Sequence, residues 1–453
     1  MASLTAPPAV ATMLAAVARH RAPLAAALCG LVFFLGAADR VFAIRIDGVN
    51  VRFANLLLGV GVLAWLAVRR ARAWTDVAAL AVAWLPFLAV YGIAALRAPD
   101  TAASLLKLGW FAFGFVGAFV WCRLFDTRDV VCGFFGAFTL VSAIIVVDFA
   151  TGFMHGERFM IGYGQPNDLA SGEILWRPHA FYYEPSYAAS GIALAWALAM
   201  TSMGRAAAVS AASLVVVGTM ALTVVMSRTG WLYALVVLLA LAIQRIGEAA
   251  HRRRIRWPAV LLAAAGGALV VSAVFLSDET APRFGRLAGA LGLQSTFERV
   301  CPLVRHGARW LALSCEDSDE ALRSVGVAAA EESSEGQRIV DAGHALSRIA
   351  QRPLLGHGVA RGNARLLEPT AKNTWLEIAV EGGLLSAAAF AWGLVLTLRR
   401  HGAFGTGGGL VGWILVLWFA VAWQFIQTFP RLDPWLAFWA ALAFTSRSRD
   451  VKA

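Results

Sequence analysis

Apolar blocks of about twenty residues recur along the chain, and this pattern constrains the fold more than any other feature of the sequence. A helix needs roughly 20 apolar residues to cross the hydrocarbon core of a bilayer. Of the 453 residues, 59% are hydrophobic and only 15% are charged, whereas soluble globular proteins carry about 25% charged residues. The pattern argues against a soluble enzyme, a disordered chain or a fibrous protein, and it predicts a polytopic membrane protein.

The apolar blocks define about twelve candidate membrane spans and predict an all-α fold. An alternative for the first span is a signal peptide, because basic residues precede it and residues 36–38 form a passable cleavage site. Cleavage would leave an odd number of spans and break the charge pattern described next. The predicted spans cover residues 22–38, 54–68, 77–96, 105–122, 130–150, 185–203, 207–226, 229–244, 258–276, 373–398, 409–428 and 432–446.

The net charge of +11 lies in short basic clusters between the apolar blocks. If both termini are cytoplasmic, every cluster falls on the cytoplasmic side, as the positive-inside rule requires. Residues 252–256 could instead bind a polyanion, but a topology anchor is the simpler explanation, and we expect no nucleic-acid partner. The clusters are Arg19 and Arg21; Arg69, Arg70 and Arg72; Arg252, Arg253, Arg254 and Arg256; Arg399 and Arg400; Arg447, Arg449 and Lys452.

Two hydrophilic segments interrupt the spans, and both fall on the outer side in this topology. The second is too long for a plain connection and should contain helices of its own. Within it, residues 337–352 predict an amphipathic helix that ends at Pro353 and has one apolar side, formed by Ile339, Ala342, Leu346 and Ile349. We expect one membrane domain, 1–453, which comprises five spans (1–150), an outer loop (151–184), spans six to nine (185–276), the large outer segment (277–371), and three spans with a cytoplasmic tail (372–453).

Five cysteines bear on the outer segment and on metal binding. Cys301 and Cys315 lie in the outer segment, where an oxidising compartment would allow a disulfide that stabilises it by about 3 kcal/mol. The alternative is two free thiols. Cys29, Cys122 and Cys132 lie in or beside spans and are expected to be small buried hydrophobes. The spacing of cysteines and histidines suggests no metal site, and we expect no cofactor.

Polar residues at the outer ends of the spans are the candidates for chemistry. Arg177 and Glu184 lie just before the sixth span, and Arg228 lies in a very tight turn between the seventh and eighth. Ionisable groups held at membrane depth are costly and are functional candidates by default. Each also has a structural explanation: Arg228 could snorkel at a helix end, Arg177 could be a loop cation, and Glu184 could favour a helix start.

A second group of polar residues opens the tenth span. Lys372 precedes Asn373, and Asn373, Glu377 and Glu381 follow each other at intervals of four, on one helical face. Lys372 could be an interfacial anchor, and Glu377 could cap the helix or face water. Glu381 lies two turns in and is harder to explain in that way. The chain has only three lysines: Lys107, Lys372 and Lys452.

Two arginines, a lysine and several carboxylates on one outer face suit a lipid-linked anionic substrate. Guanidinium groups bind phosphate oxygens bidentately, so two of them could hold a diphosphate leaving group. A nearby carboxylate could deprotonate an attacking hydroxyl. A transporter also fits about twelve spans, but transporters usually carry broken helices at matching positions of two halves, and no such pair is visible. A membrane scaffold would leave the outer arginines without a purpose.

Further motifs occur in a fixed order along residues 175–400. They are Arg177; Tyr182-Tyr183-Glu184-Pro185-Ser186-Tyr187-Ala188; Ser227-Arg228-Thr229-Gly230; Arg338; Pro353-Leu354-Leu355-Gly356-His357-Gly358; and Asn373-Thr374-Trp375-Leu376 with Glu381 and Gly383. In this order and spacing they resemble the O-antigen ligase and polymerase family of bacterial surface polysaccharide assembly. The first five spans match that family only in hydrophobicity.

The resemblance implies a metal-independent GT-C type glycosyltransferase of the bacterial inner membrane. Such an enzyme transfers a glycan on the periplasmic side from undecaprenyl diphosphate, with inversion, to lipid A core (ligase) or to the next repeat unit (polymerase). Arg177 and Arg228 match the family's outer-face arginines and would bind the diphosphate. The other implied substrate-binding residues are Arg338, His357, Asn373, Glu377 and Glu381.

One residue departs from the family pattern. The family commonly has a histidine immediately before the asparagine of the tenth span, where this chain has Lys372. Lysine cannot replace a neutral imidazole base unless burial lowers its pKa. The departure leaves Glu184 as the preferred base and favours a polymerase over a ligase. His357 could substitute in space, although a lone histidine is more often structural.

Overall fold

The computed structural model of the protein describes most of the predicted spans and the short segments beside them. The described residues are 8–37, 43–46, 49–68, 70–151, 165–168, 174–177, 180, 185–202, 208–225, 227–252, 345–358, 373–404, 409–421, 423 and 432–450. Most of the outer segment, with Arg338, Cys301 and Cys315, lies outside these ranges, as do Glu184 and Lys372. The side chains of Arg177 and Arg228 are likewise outside the described part of the chain.

Helices make up nearly all of the described residues, since a helix satisfies its backbone N–H and C=O groups internally where no water is present. The helices are α1 (Pro8–Ala37), α2 (Phe53–Val68), α3 (Arg70–Leu96), α4 (Thr101–Leu124), α5 (Thr127–Thr151), α6 (Pro185–Ser202), α7 (Ala208–Val224), α8 (Arg228–Arg252), α9 (345–351), α10 (Thr374–Arg400), α11 (Gly409–Val421) and α12 (Asp433–Asp450).

Two short antiparallel hairpins interrupt this otherwise helical fold. Between α1 and α2, β1 (Ala43–Ile46) pairs with β2 (Val49–Arg52). Between α5 and α6, β3 (Gln165–Asp168) pairs with β4 (Ile174–Arg177), so that Arg177 is the last residue of its hairpin and lies opposite Gln165. The apolar pattern did not indicate either hairpin.

The helices lie where the apolar blocks predict them. Every predicted span falls on a helix except 258–276, which lies outside the described residues. Within the described ranges, four helices have the length and composition to cross a membrane: Val77–Leu96, Ser104–Leu124, Thr127–Thr151 and Thr374–Arg400. Several shorter helices are also strongly apolar. These helices support a membrane location, and the number of twelve membrane-crossing helices stays a prediction.

The amphipathic helix predicted at 337–352 is seen in part. Its described portion, α9, ends before Pro353 as expected. Ala345 and Ile349 form its buried side, whereas Leu346 is 58% exposed. Leu346, which the sequence places on the same apolar side as Ile349, is therefore not part of the side through which α9 packs.

Aromatic side chains fill the centre of the helix bundle. The indole of Trp84 in α3 lies 4.6 Å from the ring of Phe115 in α4 and 5.3 Å from that of Phe390 in α10. Its Nε1 donates a hydrogen bond to Thr397 Oγ1 at 2.9 Å. A polar group inside an apolar bundle needs such a partner. Trp84 therefore ties α3 to α10 through packing and a hydrogen bond together.

Helices α1 and α5 approach each other at a pair of glycines. A Cβ on Gly133 of α5 would lie 2.6 Å from the backbone oxygen of Ala26 and 2.7 Å from the backbone nitrogen of Gly30 in α1. Small residues allow membrane helices to pack backbone against backbone. Cys29 of α1 is fully buried beside this contact, as predicted, and Cys122 is buried in α4.

We expect Gly133→Ala to lower the free energy of unfolding by about 1–3 kcal/mol, since the added methyl group overpacks this contact. Gly136→Ala, one turn further along α5, is the matched control because a Cβ there would meet no atom within 4 Å. Thermal unfolding of the purified variants in detergent measures the difference. Equal melting temperatures for the two variants would contradict the close approach.

Candidate functional site

Several helix ends that carry the predicted site residues meet at one end of the bundle. Trp418, near the end of α11, donates a hydrogen bond to Ser190 Oγ, near the start of α6, at 3.0 Å. Trp375, at the start of α10, donates to the carbonyl oxygen of Phe419 in α11 at 3.0 Å. The starts of α6 and α10 therefore lie together beside the end of α11. We call this end of the bundle the site end.

The turn before α8 also lies at the site end. Helix α7 ends at Val224 and α8 begins at Arg228, which confirms the tight turn predicted from the sequence. The indole nitrogen of Trp231 donates a hydrogen bond back to the carbonyl oxygen of Leu222 at 2.7 Å. A Cβ on Gly230 would lie 2.7 Å from Ala189 Cβ of α6, so the two helix starts touch. The backbone of Arg228 is thus held close to the start of α6.

Asn373 caps the start of α10. Its side-chain oxygen accepts hydrogen bonds from the backbone N–H groups of Trp375 at 2.9 Å and Leu376 at 3.1 Å. An asparagine at this position satisfies donors that the first helical turn leaves unpaired. The Asn-x-x-Leu motif therefore sets the point at which α10 begins.

The glycine-rich motif after α9 binds α10 through backbone hydrogen bonds. The N–H of His357 donates to the carbonyl oxygen of Val380 and that of Gly358 to the carbonyl oxygen of Glu381, both at 2.8 Å. The N–H of Leu384 donates to the carbonyl oxygen of Pro353 at 2.7 Å. Residues 353–358 therefore form backbone hydrogen bonds with α10 at the point where the kink interrupts the hydrogen bonds within that helix. We call residues 353–358 the glycine latch.

The contact between the glycine latch and α10 requires a glycine in each of the two segments. Gly383 has φ 78° and kinks α10, and a Cβ there would lie 2.0 Å from the carbonyl oxygen of Leu354. Gly356 has φ 63°, and its Cβ would lie 2.5 Å from the carbonyl oxygen of Glu381. Residues other than glycine rarely adopt such positive φ values. The Gly-His-Gly and Glu-x-Gly motifs are therefore two halves of one backbone contact.

His357 is held within the glycine latch. Its Nε2 lies 2.9 Å from the carbonyl oxygen of Arg348 in α9. Because a carbonyl oxygen only accepts, this contact requires Nε2 to carry a hydrogen and to donate it. The histidine thereby joins α9 to the latch, which favours the structural explanation of this residue.

Four polar side chains meet inside the bundle near the site end. Lys107 Nζ of α4 lies 2.7 Å from Glu377 Oε1 and 2.7 Å from both carboxylate oxygens of Glu381, the two acidic residues of α10. Tyr91 of α3 donates its hydroxyl to Glu381 Oε2 at 2.6 Å. We call Tyr91, Lys107, Glu377 and Glu381 the polar tetrad. It joins α3, α4 and α10.

The polar tetrad is buried and has one more carboxyl group than it has cations. Tyr91 is 1% exposed, and the side chains of Lys107 and Glu377 are 15% and 9% exposed. Three of the four carboxylate oxygens accept a hydrogen bond within the tetrad. The fourth, Glu377 Oε2, is buried and has no hydrogen-bond partner among the described residues. At 1.5 Å rise per residue, Lys107 and Glu381 lie about 9–11 Å from the starts of their helices.

The structure tests only part of the predicted site. Glu377 and Glu381 share a face of α10 with Asn373, as the spacing predicted, and they contact Lys107 rather than open space. The contacts of the other predicted side chains fall outside the described part of the chain: Arg177, Glu184, Arg228, Arg338 and Lys372. No group of three or more metal-ligating side chains occurs among the residues that are described.

Tyr91 and Lys107 are members of the cluster that the sequence analysis did not predict as site residues. Lys107 carried a signal, since it is one of three lysines in a chain that otherwise uses arginine, and it stands inside an apolar span. Tyr91 carried none, because aromatic residues are common in the spans.

A comparison with protein-family models matches residues 212–391 to the family described as O-antigen ligase. This part of the chain is similar to the O-antigen ligase family. The match confirms the resemblance seen in the motifs, and it runs from α7 to beyond the kink of α10. A search of curated proteins found no match to the chain. The O-antigen ligase family comprises glycosyltransferase-like membrane enzymes of surface polysaccharide assembly.

The matched range contains the glycine latch, Arg228 and both acidic residues of the polar tetrad. Tyr91 and Lys107 lie outside it, in α3 and α4. The tetrad therefore joins the part of the chain that matches the family model to the preceding helices.

We expect Gly383→Ala to lower the free energy of unfolding by about 2 kcal/mol or more, because alanine is strained at this φ and its Cβ would collide with Leu354. Gly109→Ala in α4 is the control, since a Cβ there would meet no atom within 4 Å. Alanine in an unstrained helix should leave stability unchanged or raise it by about 1 kcal/mol. Thermal unfolding in detergent distinguishes the two, and a stable Gly383→Ala protein would contradict the latch geometry.

Proposed function

We propose that this protein assembles a bacterial surface polysaccharide by transferring a glycan from undecaprenyl diphosphate to an acceptor sugar hydroxyl at the periplasmic face of the inner membrane. The observation that carries the proposal is the match of residues 212–391 to the O-antigen ligase family. The meeting of the starts of α6, α8 and α10 at one end of the bundle supports it. In the sequence, Glu184 directly precedes α6, Arg228 is the first residue of α8, and Lys372 directly precedes Asn373, the cap of α10. Similarity to an enzyme family favours transfer over transport.

In the proposed mechanism, the hydroxyl oxygen of the acceptor attacks the anomeric carbon while the bond from that carbon to the diphosphate oxygen breaks. Attack from the side opposite the leaving group inverts the configuration. Arg177 and Arg228 bind the diphosphate and stabilise the negative charge that it gains on leaving. Glu184 accepts the proton of the attacking hydroxyl. No metal ion takes part in this mechanism.

The remaining candidates fall into two groups. Arg338 and Lys372 are proposed to contact the glycan or the diphosphate. Asn373 uses its side-chain oxygen as the cap of α10, Glu377 bonds Lys107, and Glu381 has both carboxylate oxygens bonded within the tetrad. We therefore propose that Asn373, Glu377, Glu381 and His357 support the substrate site from within the protein rather than bind substrate themselves.

The favoured activity is that of a repeat-unit polymerase. The residue before Asn373 is Lys372, whereas the family that this chain resembles commonly has a histidine there. A ligase that transfers finished chains to lipid A core is the second candidate, and the description of the matching family model favours it.

Gel profiling of surface polysaccharide in a deletion strain separates the two activities. For a polymerase we expect the ladder of chain lengths to disappear while single repeat units still reach their acceptor. For a ligase, every attached glycan would disappear and full-length chains would accumulate on undecaprenyl diphosphate. An unchanged profile in the deletion strain would contradict both. Complementation with Lys372→His tests whether the residue before Asn373 contributes to this choice.

Arg228→Ala should lower transfer by about 100-fold or more, since it removes a charged donor from the leaving group. The measurement is the polysaccharide profile of the complemented deletion strain, with expression checked by blotting. Arg399→Ala is the matched control: Arg399 lies in the last turn of α10, which is the end of that helix remote from the site end. A normal profile from well-expressed Arg228→Ala would overturn the proposed role of this arginine.

A further inference from the structure

The polar tetrad joins three helices at a cost in free energy. Burying a charged pair removes both groups from water, and well-packed apolar side chains of similar size often give equal or greater stability. Among the described residues, the one ammonium group of the tetrad faces two carboxyl groups. Glu377 Oε2 is also buried without a hydrogen-bond partner among the described residues, which costs further free energy. Stability alone does not explain the cluster.

The tetrad contacts the first turns of α10, which carry part of the candidate site. Glu377 is one turn after Asn373, and Glu381 is the next residue along the same face. The carbonyl oxygen of Glu381 accepts the N–H of Gly358, so this residue bonds Lys107 through its side chain and the glycine latch through its backbone. Lys107 is the one described cation that touches both carboxylates. It links α4 to the first two turns of α10.

Because α10 is kinked, the position of its first turns depends on contacts with other elements. Gly383 has non-helical φ and ψ, so the first turns of α10 are not held in line by an unbroken helical backbone. Their position depends on contacts with neighbouring elements, and the tetrad supplies the charged ones. A displacement of 1 Å in a reacting group can lower a reaction rate by about 100-fold.

We propose that Lys107 is a positioning residue for glycan transfer: it binds Glu377 and Glu381 and thereby places Lys372, Asn373 and the glycine latch relative to the substrate. This inference rests on the proposed function. Lys107 is not a catalytic residue, because it acts through the two carboxylates of α10. Tyr91 completes the placement by donating to Glu381.

The test compares variants that separate charge pairing from folding. Lys107→Met alone leaves two carboxylates together and is expected to unfold the protein. The triple variant Lys107→Met/Glu377→Gln/Glu381→Gln removes all three charges at once and should keep a melting temperature close to that of the wild type. Lys107→Arg keeps the positive charge within reach of both carboxylates. Lys452→Met is the matched control, since it removes a lysine from the C-terminal end of the chain.

The purified proteins are assayed in liposomes with lipid-linked oligosaccharide extracted from the deletion strain. We expect the triple variant to show a kcat lowered by about 100-fold, with KM changed by less than about threefold, because misplacement affects the reacting geometry more than binding. Lys107→Arg should recover at least a tenth of the wild-type kcat. Lys452→Met should match the wild type.

The outcomes separate the inference from the function on which it rests. A folded triple variant with wild-type kcat would overturn the positioning role of Lys107 while the transferase activity stands. A triple variant with low kcat and Lys107→Arg equally inactive would also overturn it, since charge pairing would then not be what matters. A wild-type protein without transfer activity on this substrate would overturn the proposed function, and the inference with it.

Discussion

Within the apolar bundle a charged side chain needs a partner on a neighbouring helix, and the arrangement of the site end depends on this constraint. Lys107 lies in a span otherwise made of apolar residues, and its partners are two glutamates more than 260 residues away in sequence. The pairing ties α4 to α10 and, through Tyr91, to α3. Two indole nitrogens are paired in the same way: Trp375 and Trp418 donate across helix boundaries and hold α11 against the starts of α10 and α6.

Features that depend on local sequence could be predicted. Apolar blocks predicted the helices, since period and length decide whether a segment can lie in a bilayer. The tight turn at Arg228 followed from the two residues, 227 and 228, that separate two apolar blocks. The shared face of Asn373, Glu377 and Glu381 followed from their spacing by four. For each of these, the physical cause lies within a few residues of the feature itself.

Features that depend on distant contacts could not be predicted in this way. Nothing near Lys107 in the sequence indicates that its partners are on the tenth span, and Tyr91 resembles any other aromatic residue of the spans. The exposure of Leu346 depends on which side of α9 packs against the rest of the protein. The hairpin of β1 and β2 does have a local sequence cause, because Asp47-Gly48 between short alternating segments favours a two-residue turn.

The glycine latch also fixes one end of the stretch between Gly358 and Asn373. Gly358 is bonded to Glu381, and Asn373 begins the same helix eight residues earlier, so the fourteen residues between them start and finish on one helix, about 12 Å apart. Both ends of this stretch are therefore held by contacts of α10 itself, the first through the backbone bond of Gly358 and the second through the cap at Asn373. A displacement of the first two turns of α10 would carry both ends with it.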